Sequence, residues 1–258
     1  MCQGYAVTRL RPALGTLVAI EARAADPAIA GLAVSAGFDA IGACEALLHP
    51  TRPGSDLARL NRAGPDQRLP VRASTVAVLR LSRELCTLSG GLFDPALPGR
   101  GSIMHWQPAG RGAIRVQRRA FVDLGGIAKG YAVDLAIAAL RRAGAHGGLV
   151  NAGGDLRAFG GEPWPVALRL AGSATRTLEI RELALAVSDP AATAWPSEHQ
   201  GYYRGGSARG GRGPRAAAII APSAALADAL TKVLMYAPGA HGARVLARCG
   251  AHSLDCGP

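Results

Sequence analysis

The stretch Val122-Asp-Leu-Gly-Gly-Ile-Ala-Lys-Gly-Tyr-Ala-Val-Asp134 decides the fold, since an apolar segment there runs through two glycines into a helical pattern. Its apolar spacing predicts a strand over residues 121–124 and a helix over 127–143, which Gly144 ends. The next apolar run, residues 148–159, predicts a strand broken by a glycine turn. The region therefore has the pattern of a strand, helix, strand unit.

The glycines of this stretch let the backbone turn sharply and let a ligand approach closely. A helix that begins just after them presents unpaired backbone amides, which favour an anion. Lys129 lies in the first helical turn, and Asp123 precedes the turn as a hydrogen-bond acceptor or base. The spacing matches neither a Walker loop nor a dinucleotide-binding loop. A phosphate site and a turn whose glycines serve packing both remain open.

The composition indicates a globular protein. With 258 residues, 49% of them hydrophobic, the chain can bury a sizeable core. No run approaches the roughly 20 apolar residues of a membrane helix, and the first residues do not follow the pattern of a secretory signal. We therefore expect no membrane span and a cytoplasmic location. The five cysteines form no Cys-x-x-Cys pair, so they indicate neither a disulfide framework nor a zinc site.

The net charge of +11 favours an anionic partner: nucleic acid, an acidic protein or a phosphorylated small molecule. Of 29 basic residues only Lys129 and Lys232 are lysines, whose compact ammonium suits a phosphate or a metal-rich site. The Arg/Gly-rich segment 204–215 is similar to RNA-binding segments, but it lacks interleaved aromatic residues. We interpret it as a flexible loop and expect no specific nucleic-acid partner.

Outside the opening stretch, apolar periodicity predicts further helices and strands. Ser55, Ser74 and Ser223 stand at the starts of three of the helices. The signal between residues 95 and 120 is weak, with one short apolar hint at 114–116. The helices are predicted over 27–48, 55–61, 74–89, 223–237 and 243–248, and the strands over 17–22, 164–170, 177–180, 184–187 and 216–220.

Three other clusters carry polar groups. Asn151-Ala-Gly-Gly-Asp155 and Gly90-Gly-Leu-Phe-Asp-Pro95 lie on glycine bends, where a turn and a binding site are both possible. Asp228, Thr231 and Lys232 share one face of a predicted helix. A carboxylate with a hydroxyl suits Mg²⁺, whereas Asp228 with Lys232 could equally form an ion pair within the helix.

Taken in order, these segments resemble the ApbE family of flavin transferases. The resemblance extends from about residue 14 to residue 236, and its central stretch is the specific part. The matching segments are Leu14-Gly-Thr16, Ser55-Asp-Leu-Ala-Arg-Leu-Asn61, Gly90-Gly-Leu-Phe-Asp-Pro95, Val122 to Asp134, Asn151-Ala-Gly-Gly-Asp155 and Ala227-Asp-Ala-Leu230.

The resemblance implies one α+β domain over residues 1–258, related to the T-fold, with helices packed on a mixed sheet. It implies a protein that binds FAD with Mg²⁺ and transfers the FMN half to a Thr or Ser of an acceptor protein, which would be a redox protein, releasing AMP. Some relatives instead hydrolyse FAD to FMN and AMP. Because many relatives are exported, the periplasm is the alternative location.

The resemblance also implies roles for particular residues. It assigns Asp228 and Lys129 to catalysis. The metal would be held by the Gly126 carbonyl, Asp228 and Thr231. The FAD site would be lined by Leu14, Thr51, Leu92, Phe93, Asp94, Asp123 and Lys129.

The chain departs from the family pattern at four places. Leu14 stands where methionine is usual, and Thr51 stands where an aromatic residue often contacts the flavin. The His-x-x-Asp-Pro segment is not recognisable, with His199 the nearest histidine. The position of the metal-binding threonine holds Lys232, with Thr231 one residue earlier. Thr231 could still reach the ion, the Lys232 ammonium could replace some of its charge, or the protein could bind FAD without catalysis.

Overall fold

The computed structural model describes residues 4–168, 175–189 and 216–254. The Arg/Gly-rich segment 204–215, His199 and the last two residues of the strand predicted over 164–170 lie outside the described residues.

The described chain contains strands and helices in alternating groups. The strands are β1 (Tyr5–Ala13), β2 (Thr16–Ala24), β3 (Gln67–Pro70), β4 (Trp106–Pro108), β5 (Ala113–Val116), β6 (Gly147–Ala152), β7 (Asp155–Phe159), β8 (Trp164–Leu168), β9 (Arg176–Ile180), β10 (Ala184–Ser188), β11 (Ala217–Ala221) and β12 (His252–Leu254). The α-helices are α1 (Pro27–Leu48), α2 (Asp56–Arg62), α3 (Ala73–Leu88), α4 (Ala128–Arg142), α5 (Ala224–Tyr236) and α6 (Ala240–Arg248), with a 3₁₀ turn at Ile103–His105.

Seven strands form one sheet in the order β1-β2-β6-β7-β10-β11-β12, and each neighbouring pair is antiparallel. Helices α1, α4 and α5 pack on this sheet, and α4 also packs against α1 and against α5. A second hydrophobic cluster, which includes Trp164 and Ile180 of the β8–β9 hairpin, packs with Leu156 and Leu185 of the sheet. The predicted α+β class is therefore confirmed, but the expectation of a mixed sheet is wrong, because every strand pair in the described residues is antiparallel.

Strand β2 shows why the sheet buries one face. Its inward residues Val18, Ile20, Ala22 and Ala24 have no exposed surface, and the residues between them are at least partly exposed. This period-two alternation is what a strand with one packed face requires.

A smaller three-stranded sheet, in the order β3-β5-β4, packs beside α3. Its residues Trp106, Ile114 and Val116 belong to the same hydrophobic cluster as β2 and the large helices. The core thus continues from one sheet to the other. The single-domain organisation stays a prediction, because part of the chain lies outside the described residues.

Helices α4 and α5 cap each other. Asp134 of α4 accepts hydrogen bonds from the first amides of α5, Ala224 N (2.9 Å) and Ala225 N (2.9 Å). Asp228 of α5 accepts one from Gly130 N of α4 (3.2 Å). Amides in the first turn of a helix lack partners within the helix, so each carboxylate satisfies donors of the other helix. This reciprocal capping fixes the register of the two helices.

Three serines were expected at helix starts, and two of them, Ser55 and Ser223, are N-cap residues. Ser55 accepts from Ala58 N at 3.0 Å, and Ser223 accepts from Leu226 N at 3.3 Å. The position expected for Ser74, before the first turn, is wrong, because α3 begins at Ala73 with Arg72 as its N-cap residue. Within the described residues, no side chain caps the first amides of α3; the Asp56 carboxylate instead accepts from the Arg72 amide (2.7 Å) and the Thr75 hydroxyl (2.8 Å) and so holds the helix start from α2.

The strand predicted over 121–124 is wrong. Only Val122 pairs there, through a single isolated bridge to Ala96. The Asn61 side chain takes both backbone groups of Val122, and the Asp123 amide bonds the Pro95 carbonyl. Because these partners satisfy the backbone, no neighbouring strand is needed, and the segment before α4 is a fixed loop.

Four strands, β1, β3, β4 and β12, carry no clear signal in the sequence, and β4 and β12 have only three residues each. Strand β1 lies at the sheet edge, where Arg11 stacks on the Phe38 ring (4.7 Å) and Arg9 bonds Ser35 Oγ (2.9 Å). The aliphatic parts of the Arg9 and Arg11 side chains cover α1. Charged residues therefore occupy the positions of β1 that face the helix, and the apolar alternation typical of a strand is missing. Strand β3 is only four residues long and mostly exposed.

Helix α1 alone, among the described residues, has the length and apolar composition that a membrane-crossing helix needs. The composition alone had predicted no such segment. Its inward residues, including Val34, Phe38 and Ile41, are buried against the rest of the protein. A helix of a hydrophobic core passes the same test of length and composition.

Replacing Gly130 by alanine tests the contact between α4 and α5. A Cβ added at Gly130 would lie 2.1 Å from the Ala224 carbonyl oxygen, so the helices must separate. We expect Gly130→Ala to lower the free energy of unfolding by about 2–3 kcal/mol. Gly42→Ala is the matched control, because nothing lies within 4 Å of its added Cβ. That control should raise stability by up to about 1 kcal/mol. Equal effects in urea denaturation would contradict the close packing.

Replacing Asp134 tests the capping of α5. Asp134→Ala removes the acceptor of two amides and leaves Arg157, which lies 2.6 Å from Asp134 Oδ1, without this partner. We expect the free energy of unfolding to fall by roughly 1–2 kcal/mol. Asp134→Asn keeps one acceptor oxygen and should lose less. An unchanged thermal midpoint for Asp134→Ala would show that the cap contributes nothing.

Candidate functional site

The β1–β2 turn, the β6–β7 turn and the start of α4 lie together at one end of the strands of the large sheet. The β1–β2 turn contains Leu14 (φ +54°) and Gly15, and the β6–β7 turn contains Gly153 and Gly154. A Cβ on Gly153 would lie 2.6 Å from Thr16 Oγ1, so the two turns are in contact. A left-handed backbone at a leucine costs of order 1 kcal/mol and is often found at functional sites. Leu14 is partly buried against the core.

Asn61 joins the loop after α1 to the loop before α4. Its side-chain amide donates to Pro50 O (3.0 Å) and to Val122 O (2.9 Å), and its oxygen accepts from Val122 N (2.8 Å). Thr51, which follows Pro50, is exposed, and its amide bonds His49 Nδ1 (3.3 Å). Asn61 therefore holds the Thr51 loop beside the residues that precede the glycine turn.

The segment after α3 reaches the same place. Phe93 is buried, and a Cβ added at Gly126 would lie 3.7 Å from its ring carbon Cε2. Leu92, beside it, is partly buried against the core. The Asp94 carboxylate accepts from Ser102 Oγ (2.6 Å) and from two loop amides, so it organises its own loop. The assignment of Leu92, Phe93 and Asp94 to FAD stays a prediction.

The turn into α4 differs from the expected cradle of free amides. Asp123 Oδ1 accepts from Gly125 N (2.8 Å) and so closes the turn. The amides of Ile127 and Ala128 bond the Leu124 carbonyl, and the amide of Gly130 bonds Asp228. Most of these donors already have protein partners. A phosphate at this turn would therefore depend mainly on side-chain charge.

Two lysines and two carboxylates form a cluster beside this turn. Lys129 Nζ lies 2.8 Å from Asp155 Oδ2, and Lys232 Nζ contacts Asp228 Oδ1 and also Ser188 Oγ (3.2 Å). Asp155, Asp228 and Lys232 are buried, whereas 33% of the Lys129 side chain is exposed. We call these four charged residues the two-lysine cluster. It contains both lysines of the chain.

Burial and neighbouring charges shift the pKa values of this cluster in opposite directions. Burial, with a smaller contribution from the Asp228 charge, raises the pKa of Asp155 to about 6. Burial also opposes the charge on Asp228, but Lys232, Lys129 and the Gly130 amide outweigh it, and the pKa of Asp228 is lowered. Burial opposes the Lys129 ammonium, but Asp155 and Asp228 raise its pKa. At neutral pH the cluster therefore carries two positive and two negative charges.

The residues expected to hold a metal do not offer a free set of ligands. Both Asp228 oxygens are used, one by Lys232 and the other by Gly130 N. The Thr231 hydroxyl donates to Asp228 O (2.7 Å) and bonds Ser188 Oγ (2.8 Å). No group of three His, Cys, Asp or Glu side chains suited to a metal occurs in residues 4–168, 175–189 and 216–254. As folded, these donors fit an ammonium and do not fit a divalent cation.

The structure therefore brings some predicted site residues together and leaves others apart. Gly126, Lys129, Asp228 and Thr231 lie around one cluster, while Thr51 is on an exposed loop. Three residues that shape the site had no assigned role: Asn61, Ser188 and Asp155, although the bend that contains Asp155 was a possible binding site. Asn61 and Asp155 were within matching segments, and their polar character beside glycine turns was the available signal. Nothing in the sequence links Ser188 to Lys232.

The pH dependence of stability tests the burial of Asp155. Its pKa is raised to about 6, so the folded protein keeps a proton that the unfolded chain loses near pH 4. The contribution of Asp155 to stability therefore falls as pH rises from about 4 to about 6. Asp155→Asn lacks this fall, so the free energy of unfolding of the variant minus that of wild type should rise over this range. Urea denaturation at several pH values measures it.

The exposed residue Asp66 provides the matched substitution, Asp66→Asn, which controls for the general effect of replacing aspartate by asparagine. A difference for Asp155→Asn that stays constant from pH 4 to pH 7, or that falls, would contradict the raised pKa of Asp155.

Three solved structures with a similar fold are named as ApbE proteins, and two of these are named as flavin or flavinyl transferases. The flavinyl transferase ApbE of Pseudomonas stutzeri superposes with a TM-score of 0.81 at 20% identity, covering 97% of this chain and 90% of that one. The Vibrio cholerae flavin transferase ApbE gives 0.79 at 20% identity, with 97% and 93% coverage. The ApbE protein of Thermotoga maritima gives 0.80 at 22% identity, with 98% and 94% coverage. At these identities the likeness establishes the fold.

A curated relative and a family model match the sequence itself. The relative is a FAD:protein FMN transferase from Rhodobacter capsulatus, 31% identical over 153 residues that span 47% of this chain and 29% of the relative. The chain thus matches less than a third of that protein's length. The model of the ApbE family matches residues 14–111 and 101–254. Because these matches cover nearly the whole chain, the protein is a member of the ApbE family.

Proposed function

We propose that this protein transfers the FMN half of FAD to a Thr or Ser hydroxyl of an acceptor protein and releases AMP. The observation that carries the proposal is the two-lysine cluster beside the glycine turn, in a chain of the ApbE family. The name of the Rhodobacter capsulatus relative, FAD:protein FMN transferase, gives transfer of FMN from FAD to a protein as the activity of that relative.

The chemistry requires positive charge beside a pyrophosphate. The acceptor hydroxyl oxygen bonds to the phosphorus of the FMN half, and the bond from that phosphorus to the bridging oxygen breaks. AMP leaves with the bridging oxygen and its electron pair, and the hydroxyl proton passes to water or to a basic group. Charge develops on the phosphoryl oxygens and on the leaving oxygen, so fixed cations and exact positioning contribute most of the rate.

Lys129, in the first turn of α4, is suited to supply positive charge beside the pyrophosphate. Its ammonium is held by Asp155 at 2.8 Å, and a third of its side chain remains exposed to a ligand. A paired and positioned ammonium keeps its charge and loses little entropy when a phosphate arrives. We assign the pyrophosphate to the space beside Lys129 and Gly126. Leu14, in the β1–β2 turn, and Phe93, beside Gly126, are the proposed apolar contacts of the flavin half.

Magnesium at Gly126, Asp228 and Thr231 was expected from the family resemblance, but it is not part of this step. The Lys232 ammonium already pairs with Asp228, and the Thr231 hydroxyl is hydrogen-bonded. Catalysis through Asp228 would then be indirect, by placing Lys232 and by capping α4. The acceptor would be a redox protein, and the proposed compartment is the cytoplasm, with the periplasm as the alternative.

Two related activities compete with the transfer. A FAD pyrophosphatase would use water in place of the acceptor hydroxyl and would release FMN with AMP. A protein that binds FAD without catalysis would release neither product. The departure at Lys232 gives the second alternative its basis. Both are distinguished from transfer by the products formed with and without an acceptor.

The test is an incubation of the purified protein with FAD and a flavinylated-protein precursor that carries an exposed Thr or Ser, with Mg²⁺ and separately with EDTA. We expect AMP in equal amount to the FMN mass added to the acceptor in at least one buffer. Lys129→Met should lower the rate about tenfold or more, because it removes a positioned charge. Arg115→Thr, which removes an exposed cation of the smaller sheet, should not.

AMP and FMN released equally without acceptor would establish the pyrophosphatase instead. FAD binding without AMP in either buffer, for several acceptors, would contradict the proposed transfer.

A further inference from the structure

We infer that the Lys232 ammonium is a built-in cation for the FAD pyrophosphate, so that the protein binds FAD without a divalent metal ion. The inference rests on the proposed function for its substrate, and it concerns how this chain supplies the charge. Its basis is the position of Lys232 within the two-lysine cluster.

Lys232 is the group that neutralises Asp228. Asp228 has no exposed surface, and a buried carboxylate requires a paired cation. The Lys232 ammonium contacts Asp228 Oδ1, while Gly130 N bonds Oδ2. A divalent ion at Asp228 would have to displace a cation that is covalently attached and always present. Two cations on one carboxylate would also repel each other.

The ammonium keeps one donor available for a ligand. A lysine carries three N–H donors. Within the described residues, Asp228 and Ser188 are its two hydrogen-bond partners. The Lys232 stem borders the glycine turn, because a Cβ added at Gly126 would lie 3.7 Å from Lys232 Cε. The third N–H can therefore serve a phosphate oxygen that approaches over Gly126.

The cluster as a whole is neutral, so its preference for an anion depends on where the ammonium groups lie, with the Lys232 stem bordering the glycine turn. Lys129 with Asp155 and Lys232 with Asp228 form two ion pairs. An incoming pyrophosphate carries two negative charges, and both ammonium groups can bind it. A divalent cation in the same place would be repelled by both ammonium groups. Ser188 supports this arrangement, because its hydroxyl joins Lys232 to Thr231 and so fixes the lysine rotamer.

The test compares wild type with Lys232→Thr and with the control Arg115→Thr. FAD affinity is measured by calorimetry in EDTA and in Mg²⁺, and Mn²⁺ binding is measured by the electron paramagnetic resonance of the free ion. Circular dichroism and thermal unfolding establish that each variant is folded. None of these readouts depends on FMN transfer.

We expect the FAD dissociation constant of wild type to agree within about twofold in the two buffers, with no Mn²⁺ bound at Asp228. Lys232→Thr should bind FAD at least tenfold more weakly in EDTA and should recover with Mg²⁺, since threonine frees the Asp228 oxygen for a metal. Arg115→Thr should match wild type.

Wild-type FAD affinity that rises tenfold or more with Mg²⁺ would overturn the inference, and so would Lys232→Thr affinity in EDTA equal to that of wild type. Absence of FAD binding in either buffer would overturn both this inference and the proposed function. Metal-independent FAD binding without FMN transfer would support the inference and contradict the proposed function alone.

Discussion

The reciprocal capping of α4 and α5 is the constraint on which the site depends. Asp134 receives the first amides of α5, and Asp228 receives Gly130 N of α4. Each carboxylate satisfies backbone donors that the other helix leaves unpaired. Gly130 allows the two backbones to approach, since any side chain there would meet the Ala224 carbonyl. The contact between α4 and α5 thus fixes the backbone positions of Lys129 and Lys232 relative to each other.

The arrangement of charges in the site depends on this contact between α4 and α5. Asp228 is completely buried because it caps α4, and a buried carboxylate requires the cation that Lys232 supplies one helical turn later. Lys129, in the first turn of α4, faces Asp155 at the start of β7. Asp228 therefore has two roles. Its carboxylate holds α4 and α5 together, and it also holds Lys232, the lysine that borders the glycine turn.

Much of this could be predicted from the sequence. Local signals placed α1, α4 and α5, the serine caps at Ser55 and Ser223, and the turns at paired glycines, because each depends on residues near in sequence. The segment 121–124 was misread as a strand, since its partners are the distant Asn61 side chain and Pro95 carbonyl. Ser74 does not precede α3, because that helix begins at Ala73, and the Asp56 carboxylate from another helix holds the Arg72 amide before it. The Lys232–Ser188 contact had no sequence signal, because it joins a helix to a strand end 44 residues away.

The most direct test is a crystal structure of the protein with FAD, grown with Mn²⁺ and examined for anomalous scattering from the metal. We predict pyrophosphate oxygens within hydrogen-bond distance of Lys129 Nζ and Lys232 Nζ, and no manganese peak at Asp228. A manganese ion bound to Asp228, with the Lys232 ammonium displaced from that carboxylate, would contradict this prediction.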